Sequence, residues 1–174
     1  MSVDGERRRW TPLEDPLGQS FAIALGGLVG LHGGILRDCY STASVSHNDD
    51  AVAGGVVGSW VEEDNDDIGG GIGESTQIRR CYGAGEVQQS GENGVFSGGL
   101  VGFADGSALS AEDSYYDEDT TGEHLTQQGD GLSTGELAEE ASFSGWGFGQ
   151  TEEWQMGQAP DGEQRPVLLW QNAS

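Results

Sequence analysis

The apolar residues of this chain fall in pairs, not in helical stripes. Leu28-Val29, Val56-Val57 and Leu100-Val101 each sit inside a glycine cluster: GGLVG at 26–30, GGVVG at 54–58 and GGLVG again at 98–102. A looser cluster, GGGIG, occupies 69–73. Behind the clusters at 26, 69 and 98 comes a short Gly or Ser turn, then a second extended segment. These segments are ILRDCYSTASV (35–45), QIRRCYGAGEV (77–87) and ALSAEDSYYDE (108–118). In them Tyr40, Tyr82 and Tyr115 fall at matching places, preceded by Cys39, Cys81 and Ser114. A 3.6-residue period is absent from 20 to 118, and short runs with β-branched and aromatic residues between Gly turns predict strands. The cluster at 54 opens a fourth unit. It runs into SWVEEDNDDI (59–68), which reads as an acidic loop inserted before the cluster at 69.

The clusters recur 28 residues apart from Gly26 to Gly54 and 29 apart from Gly69 to Gly98. Regular units of this length mean a solenoid, a propeller or another array. A propeller needs at least four blades of about 40 residues, more than this chain holds between its clusters. The expectation is therefore an all-β fold: a short right-handed parallel β-solenoid, β-helix-like, over 21–118. Equivalent residues would stack in ladders about 4.8 Å apart. Leu28, Val29, Val56, Val57, Leu100 and Val101 would supply the core, joined by Ile35 and Ile78.

Past 118 the pattern changes. DEDTTGEHLTQQGDG is a polar loop, and Ser133 followed by Glu136 is a capping-box signature before a short helix. Trp146, Trp154 and Trp170 lie in this last stretch. A stack of strands ends in an unpaired edge and a cut core, and an aromatic-rich terminal unit answers that problem. Residues 119–174 thus read as a small mixed C-terminal cap. Residues 1–20 are a lead-in, expected to be disordered, with only Trp10 and nearby Phe21 as aromatics. The first turn is then the weaker end, which predicts missing upstream repeats or end-to-end self-association through it.

Charge changes the picture of the surface. The chain has 30 Asp+Glu against 7 Lys+Arg, a net charge of −23, and every cation is an arginine. Such a field repels nucleic acid and anionic lipid, so neither is expected as a partner. Two readings compete for the acid: calcium sites, or a hydrated surface suited to high salt. The absence of lysine and the even spread of acids favour the second. Glycine, at 31 of 174 residues, suits tight turns where backbones approach closely. No run of 18 apolar residues exists, so no membrane-spanning helix is expected. The basic patch Arg7–Arg9 is followed by no apolar region of signal-peptide length, and FAIAL (21–25) is too short and too late.

The repeated form G-G-L-V-G, a few residues, then I-x-x-C-Y-x-x-G-x-V resembles the GLUG-motif repeats of adhesin-like surface proteins. The closing segments SYYDEDTTG, GLSTGEL, FSGWGFG, EEW and DGEQRPVLLWQ resemble the usual end of such arrays. The resemblance spans roughly 26–171. The chain departs from it in two places. The unit from Gly54 has no Cys-Tyr before the next Gly cluster, and DGEQRPVLLW is longer than the common ending. The resemblance implies the C-terminal end of a repeat array at the extracellular cell surface, mediating binding or structural display. Its partner would be a surface ligand, glycan or protein. Some members of the family are IgA-specific metallopeptidases.

Candidate chemistry is sparse. His32, His47 and His124 have no H-E-x-x-H spacing and read as solvated loop histidines. No G-x-S-x-G elbow supports a serine nucleophile. A β-helix carbohydrate-active enzyme, a polysaccharide lyase or hydrolase, would need paired carboxylates on one face. EEDNDD (62–67) and DEDTTGE (117–123) are the candidates, and overall acidity already predicts both as hydrated loops. GGIGESTQI (70–78) partly matches a calcium nonapeptide, but Ser75 stands at the Asp position. Asp64, Asn65, Asp66 and Asp67 would hold a hard cation only weakly. Cys39 and Cys81 would stack within disulfide range on adjacent turns and lie too far apart with a turn between them; small ladder residues is the preferred reading. No catalytic residue, cofactor or metal is assigned. The expectation is a non-catalytic repeat module, with a β-helix enzyme and a ligand-free structural spacer as the other classes.

Overall fold

In a computed structural model the described residues are 13–14, 20–21, 23–47, 51–60, 77–90, 97–104, 110–122 and 128–172. The chain is predominantly β. Strands β1 (Leu13–Glu14) and β2 (Ser20–Phe21) pair antiparallel. Three passes of chain then follow. The first is β3 (Ile23–Gly26), β4 (Val29–His32), β5 (Ile35–Ser41) and β6 (Val45–His47). The second is β7 (Ala51–Gly54), β8 (Val57–Trp60), β9 (Gln77–Gly83) and β10 (Val87–Gln89). The third is β11 (Ser97–Gly98), β12 (Val101–Ala104), β13 (Ser110–Glu112) and β14 (Tyr115–Asp117).

Each pass lies against the one before it, strand on equivalent strand, always parallel. β3, β7 and β11 form one stack, and β4, β8 and β12 a second. β5, β9 and β13–β14 form a third, and β6 with β10 a fourth. The linking hydrogen bonds repeat between passes. Gly27 N donates to Gly54 O and Leu28 N to Val56 O; one pass on, Gly55 N donates to Gly98 O and Val56 N to Leu100 O.

The glycine clusters are explained by two contacts. A Cβ on Gly54 would collide with the Val57 carbonyl, because the chain doubles back there between two stacks. A Cβ on Gly58 would sit 2.6 Å from the Leu25 backbone, where β8 crosses the neighbouring stack. Between them the apolar pair turns inward. Val56, Val57, Leu100 and Val101 are buried with Ile78 and Cys81 in the central cluster, as expected. Removing such side chains from water stabilises by about 1.5–3 kcal/mol each.

Leu28 and Ile35 differ from expectation. They are 47% and 56% exposed, since they belong to the first pass, and among the described residues no strand covers its outer side. The grouping of the repeats also needs correction. Gly54 pairs with Gly26 and Gly98, and its pass continues into Cys81-Tyr82. The unit from Gly54 therefore has a Cys-Tyr of its own. The cluster at 69–73 lies outside the described residues, within the stretch 61–76 that separates β8 from β9.

The remaining residues close one side. α1 (Glu118–Thr121) leads towards β15 (Asp130–Leu132), which pairs with β14 and so extends the third stack by one rung. α2 (Thr134–Leu137) begins at Ser133 with the expected capping box. Two strands, β16 (Trp154–Gln158) and β17 (Gln164–Leu168), then form an antiparallel hairpin, followed by a 3-10 turn at Leu169–Asn172. No helix among the described residues is long and apolar enough to cross a membrane.

Candidate interaction surface

The most elaborated surface lies along the third stack, where sequence matching placed the Cys-Tyr positions. The residue before each Cys, Cys and Ser has a left-handed backbone: Asp38 (φ 53°), Arg80 (φ 49°) and Asp113 (φ 47°). This bend recurs once per pass. Arg80 reaches Asp38 through two charge-assisted hydrogen bonds, Nε to Oδ1 at 2.6 Å and a terminal nitrogen to Oδ2 at 2.7 Å. The Asp38 carboxylate, with smaller contributions from Glu153 and Asp113, holds the guanidinium pKa above its ordinary value.

One residue on, Cys39 and Cys81 are in-register partners on adjacent passes. Both thiols are free. Each sulfur also lies close to a backbone carbonyl, Cys39 to Arg37 O at 3.0 Å and Cys81 to Arg79 O at 3.3 Å. Ser114 continues the ladder and accepts from Cys81 N at 3.2 Å. The hydrogen bond from Cys81 lowers the Cys39 thiol to about 7, whereas its engagement with Cys39 and burial both push Cys81 up.

The tyrosines form the next ladder. Tyr40 and Tyr82 stack with centroids 5.1 Å apart and planes 6° from parallel, and Tyr82 is in register with Tyr115. Against this ladder lies the C-terminal segment. Trp154 tilts over Tyr40 and Tyr82 and points its Nε1 at Asp38 (3.4 Å). Trp146 packs on Tyr82, Tyr115 and Phe143, with its Nε1 donating to Asp113 O at 2.7 Å. Tyr82 donates to Pro166 O at 2.8 Å, and burial raises the pKa of its phenol. Arg165, fully buried, bridges Asp117 and Asp161 at 2.8 Å each. Hairpin and tryptophans thus run alongside all three passes.

At the first-pass end this seam opens into a groove of about 390 Å³ between Leu28, Cys39, Tyr40, Leu168 and Trp170. Trp170 is 71% exposed there. Tyr40 Oη donates to Gln171 Oε1 at 3.0 Å across it.

The other sequence candidates fall as follows. His32 and His47 are not solvated loop residues: both are buried, at the ends of β4 and β6. Burial lowers the His32 pKa. His124, Ser75, the run 62–67 and Asp64–Asp67 lie outside the described residues. Of the run 117–123, Asp117 is fully buried; it caps α1 and takes hydrogen bonds from Thr134 and the Arg165 guanidinium. Among the described residues no three potential ligands group around a cation position. Sequence reasoning missed the Asp38–Arg80–Asp113 ladder, because unlike residues share only a backbone angle.

Comparison with known proteins places the repeat. No solved structure matches significantly. Over 88 residues the chain is 40% identical to a protein of Evansella cellulosilytica whose name describes a Gly-rich membrane protein. The match covers 47% of this chain and 10% of that protein, so the chain spans only a small part of its relative's length. Residues 21–46, the first pass of the three, match the family described as the GLUG motif. Within the segment that matches the GLUG motif, Gly26, Cys39 and Tyr40 stack in register with Gly54, Cys81 and Tyr82 of the second pass.

Proposed function

We propose that the three passes are turns of a right-handed parallel β-solenoid and that the chain is a non-catalytic, adhesin-like repeat module displayed at the cell surface, adapted to high salt. The observation carrying this reading is the in-register continuation of the GLUG motif through successive parallel strands. The relative's description as a Gly-rich membrane protein supports placement at the envelope. The non-catalytic reading draws on Asp117: the first carboxylate of the acidic run 117–123 is buried and committed to Arg165 and Thr134. The net charge of −23 without lysine supports the salt adaptation.

Two assays in molar KCl test it. On a glycan and protein array the chain binds a surface ligand without releasing reducing ends or peptides. Turnover of pectin, alginate or casein that vanishes on mutating one acidic pair would overturn the non-catalytic reading. Antibodies to the chain label intact cells of the source organism; labelling only after lysis would overturn surface display.

A further inference from the structure

We propose that the outer side of the first pass is a docking face for one further turn of this same repeat, and that the fitting turn carries an Arg-Cys-Tyr strand like that of the second pass. The inference rests on the solenoid reading above.

Three observations carry it. First, the exposed large apolar residues of the described strands gather on this pass: Ile23 (49%), Leu28 (47%), Leu31 (38%) and Ile35 (56%). On the second pass the equivalents of Ile23, Leu28 and Leu31 are closed, Ala51, Val56 and Ser59 being at most 1% exposed, while Gln77, the equivalent of Ile35, is half-buried. Second, the hydrogen-bond pattern repeats by position. Gly54 O and Val56 O accept from the pass before them, and Gly98 O and Leu100 O do the same. Gly26 and Leu28 hold the equivalent two positions of the first pass, so the same pattern would have their carbonyls accept from a turn laid outside it. Third, the residues at the recurring bend alternate in charge from pass to pass, Asp113, Arg80, Asp38, with Arg80 paired to Asp38, and the series ends on an acid that lines the groove. The residue that continues the alternation is an arginine. The second pass has it, in Arg80-Cys81-Tyr82.

The groove fits the same occupant. Tyr82 is flanked by Trp146 and Trp154, and Trp170 lines the groove together with Tyr40. A tyrosine stacked on Tyr40 as Tyr40 stacks on Tyr82 would be covered by it. The relative that the chain matches is much longer than the matched segment, which makes up 10% of it.

The test inserts a copy of residues 51–94 immediately before Ile23 in the full chain, which adds one register period. Expected are a blue shift of Trp170 emission, read by difference against Trp170→Phe, and slower amide exchange in β3, β4 and β5. Changing the copied Arg80 to Ala should reverse part of that protection. Changing the copied Gly55 to Val should abolish it, because a Cβ there would strike a glycine carbonyl of the next pass, as at Gly55 itself. An unprotected insert with Trp170 unchanged, while β7–β9 stay protected, would overturn the docking face and leave the solenoid standing. Loss of protection in β7–β9 of the unmodified chain would instead sink the solenoid. Two results in the unmodified chain would also overturn the proposal by naming another occupant. One is a dimer in light scattering with Trp170 buried. The other is β3–β5 protection that disappears when residues 1–22 are removed.

Discussion

Arg80 combines a left-handed backbone with a charge paired to Asp38. A non-glycine residue in that conformation costs about 1–2 kcal/mol. The bidentate pair with Asp38 offsets the cost, since both side chains are more than four-fifths shielded from solvent. Replacing Arg80 by Ala keeps the bend and leaves the half-buried Asp38 carboxylate without its partner, so stability should fall by about 1–3 kcal/mol. Arg80→Lys, which keeps charge but loses the fork, should fall between. Urea unfolding in molar KCl measures both; an unchanged midpoint for Arg80→Ala would contradict the ladder. Cys39 offers a second check. With its thiol lowered to about 7, iodoacetamide alkylation should rise with pH through a midpoint there, as the thiolate forms. Removing the donor with Cys81→Ala should move the midpoint upward. Buried Cys81 should stay unmodified at both ends of the titration. The Cys and Tyr ladders were legible because identical letters recur at matching places. The bend was not, because Asp and Arg share no letter and only their backbone angle and ion pair relate them.

At the scale of elements, the C-terminal hairpin is tied to the third pass by one buried cation. Arg165 meets Asp117 and Asp161, and Asp117 also caps α1 and accepts from Thr134. Arg165→Ala leaves Asp117 buried without its counter-charge, at a cost of about 3–5 kcal/mol. Proteolysis should then cut the hairpin before the stacked passes; simultaneous cutting would mean that hairpin and stack unfold as one. The capping box at Ser133 was legible because its spacing is local. Arg165 was not singled out, because its partner lies 48 residues earlier and no local pattern marks the pair. His32 and His47 were misread for a related reason: burial at strand ends depends on the neighbouring passes and leaves no trace in the adjacent residues.

For the whole molecule, the opposing terms are a small core and a large charge. Thirty acids face seven arginines, so most carboxylates lack a cation. At 0.01 M ionic strength the Debye length is about 30 Å and carboxylates on several passes repel together; at 1 M it is about 3 Å and only neighbours interact. Far-UV circular dichroism against KCl at neutral pH should therefore show a β-type spectrum that strengthens towards molar salt. An equally cooperative fold at low salt without divalent cations would make the acidity incidental, and rescue by micromolar calcium would replace screening with specific sites.

The grouping of the repeats is where sequence and structure part, and it decides the architecture. Gly26 and Gly54 pair at one spacing and Cys39 and Cys81 at a longer one, because residues 61–76 intervene within a single pass. By spacing alone the cluster at 69–73 looked like the start of its own turn. Through-space NMR contacts between β5 and β9, and between Ser46 and Gln88 on β6 and β10, test the account most directly. If one pass runs from Gly54 through Cys81-Tyr82, these strands are immediate neighbours at about 4.8 Å and the amide and Hα contacts appear, with Gln77 N–H bonded to Gly34 O. If a strand from 69–73 lies between them, the separation is about 10 Å. Those contacts would then be missing, replaced by contacts to the intervening strand, and the three-pass architecture would be wrong.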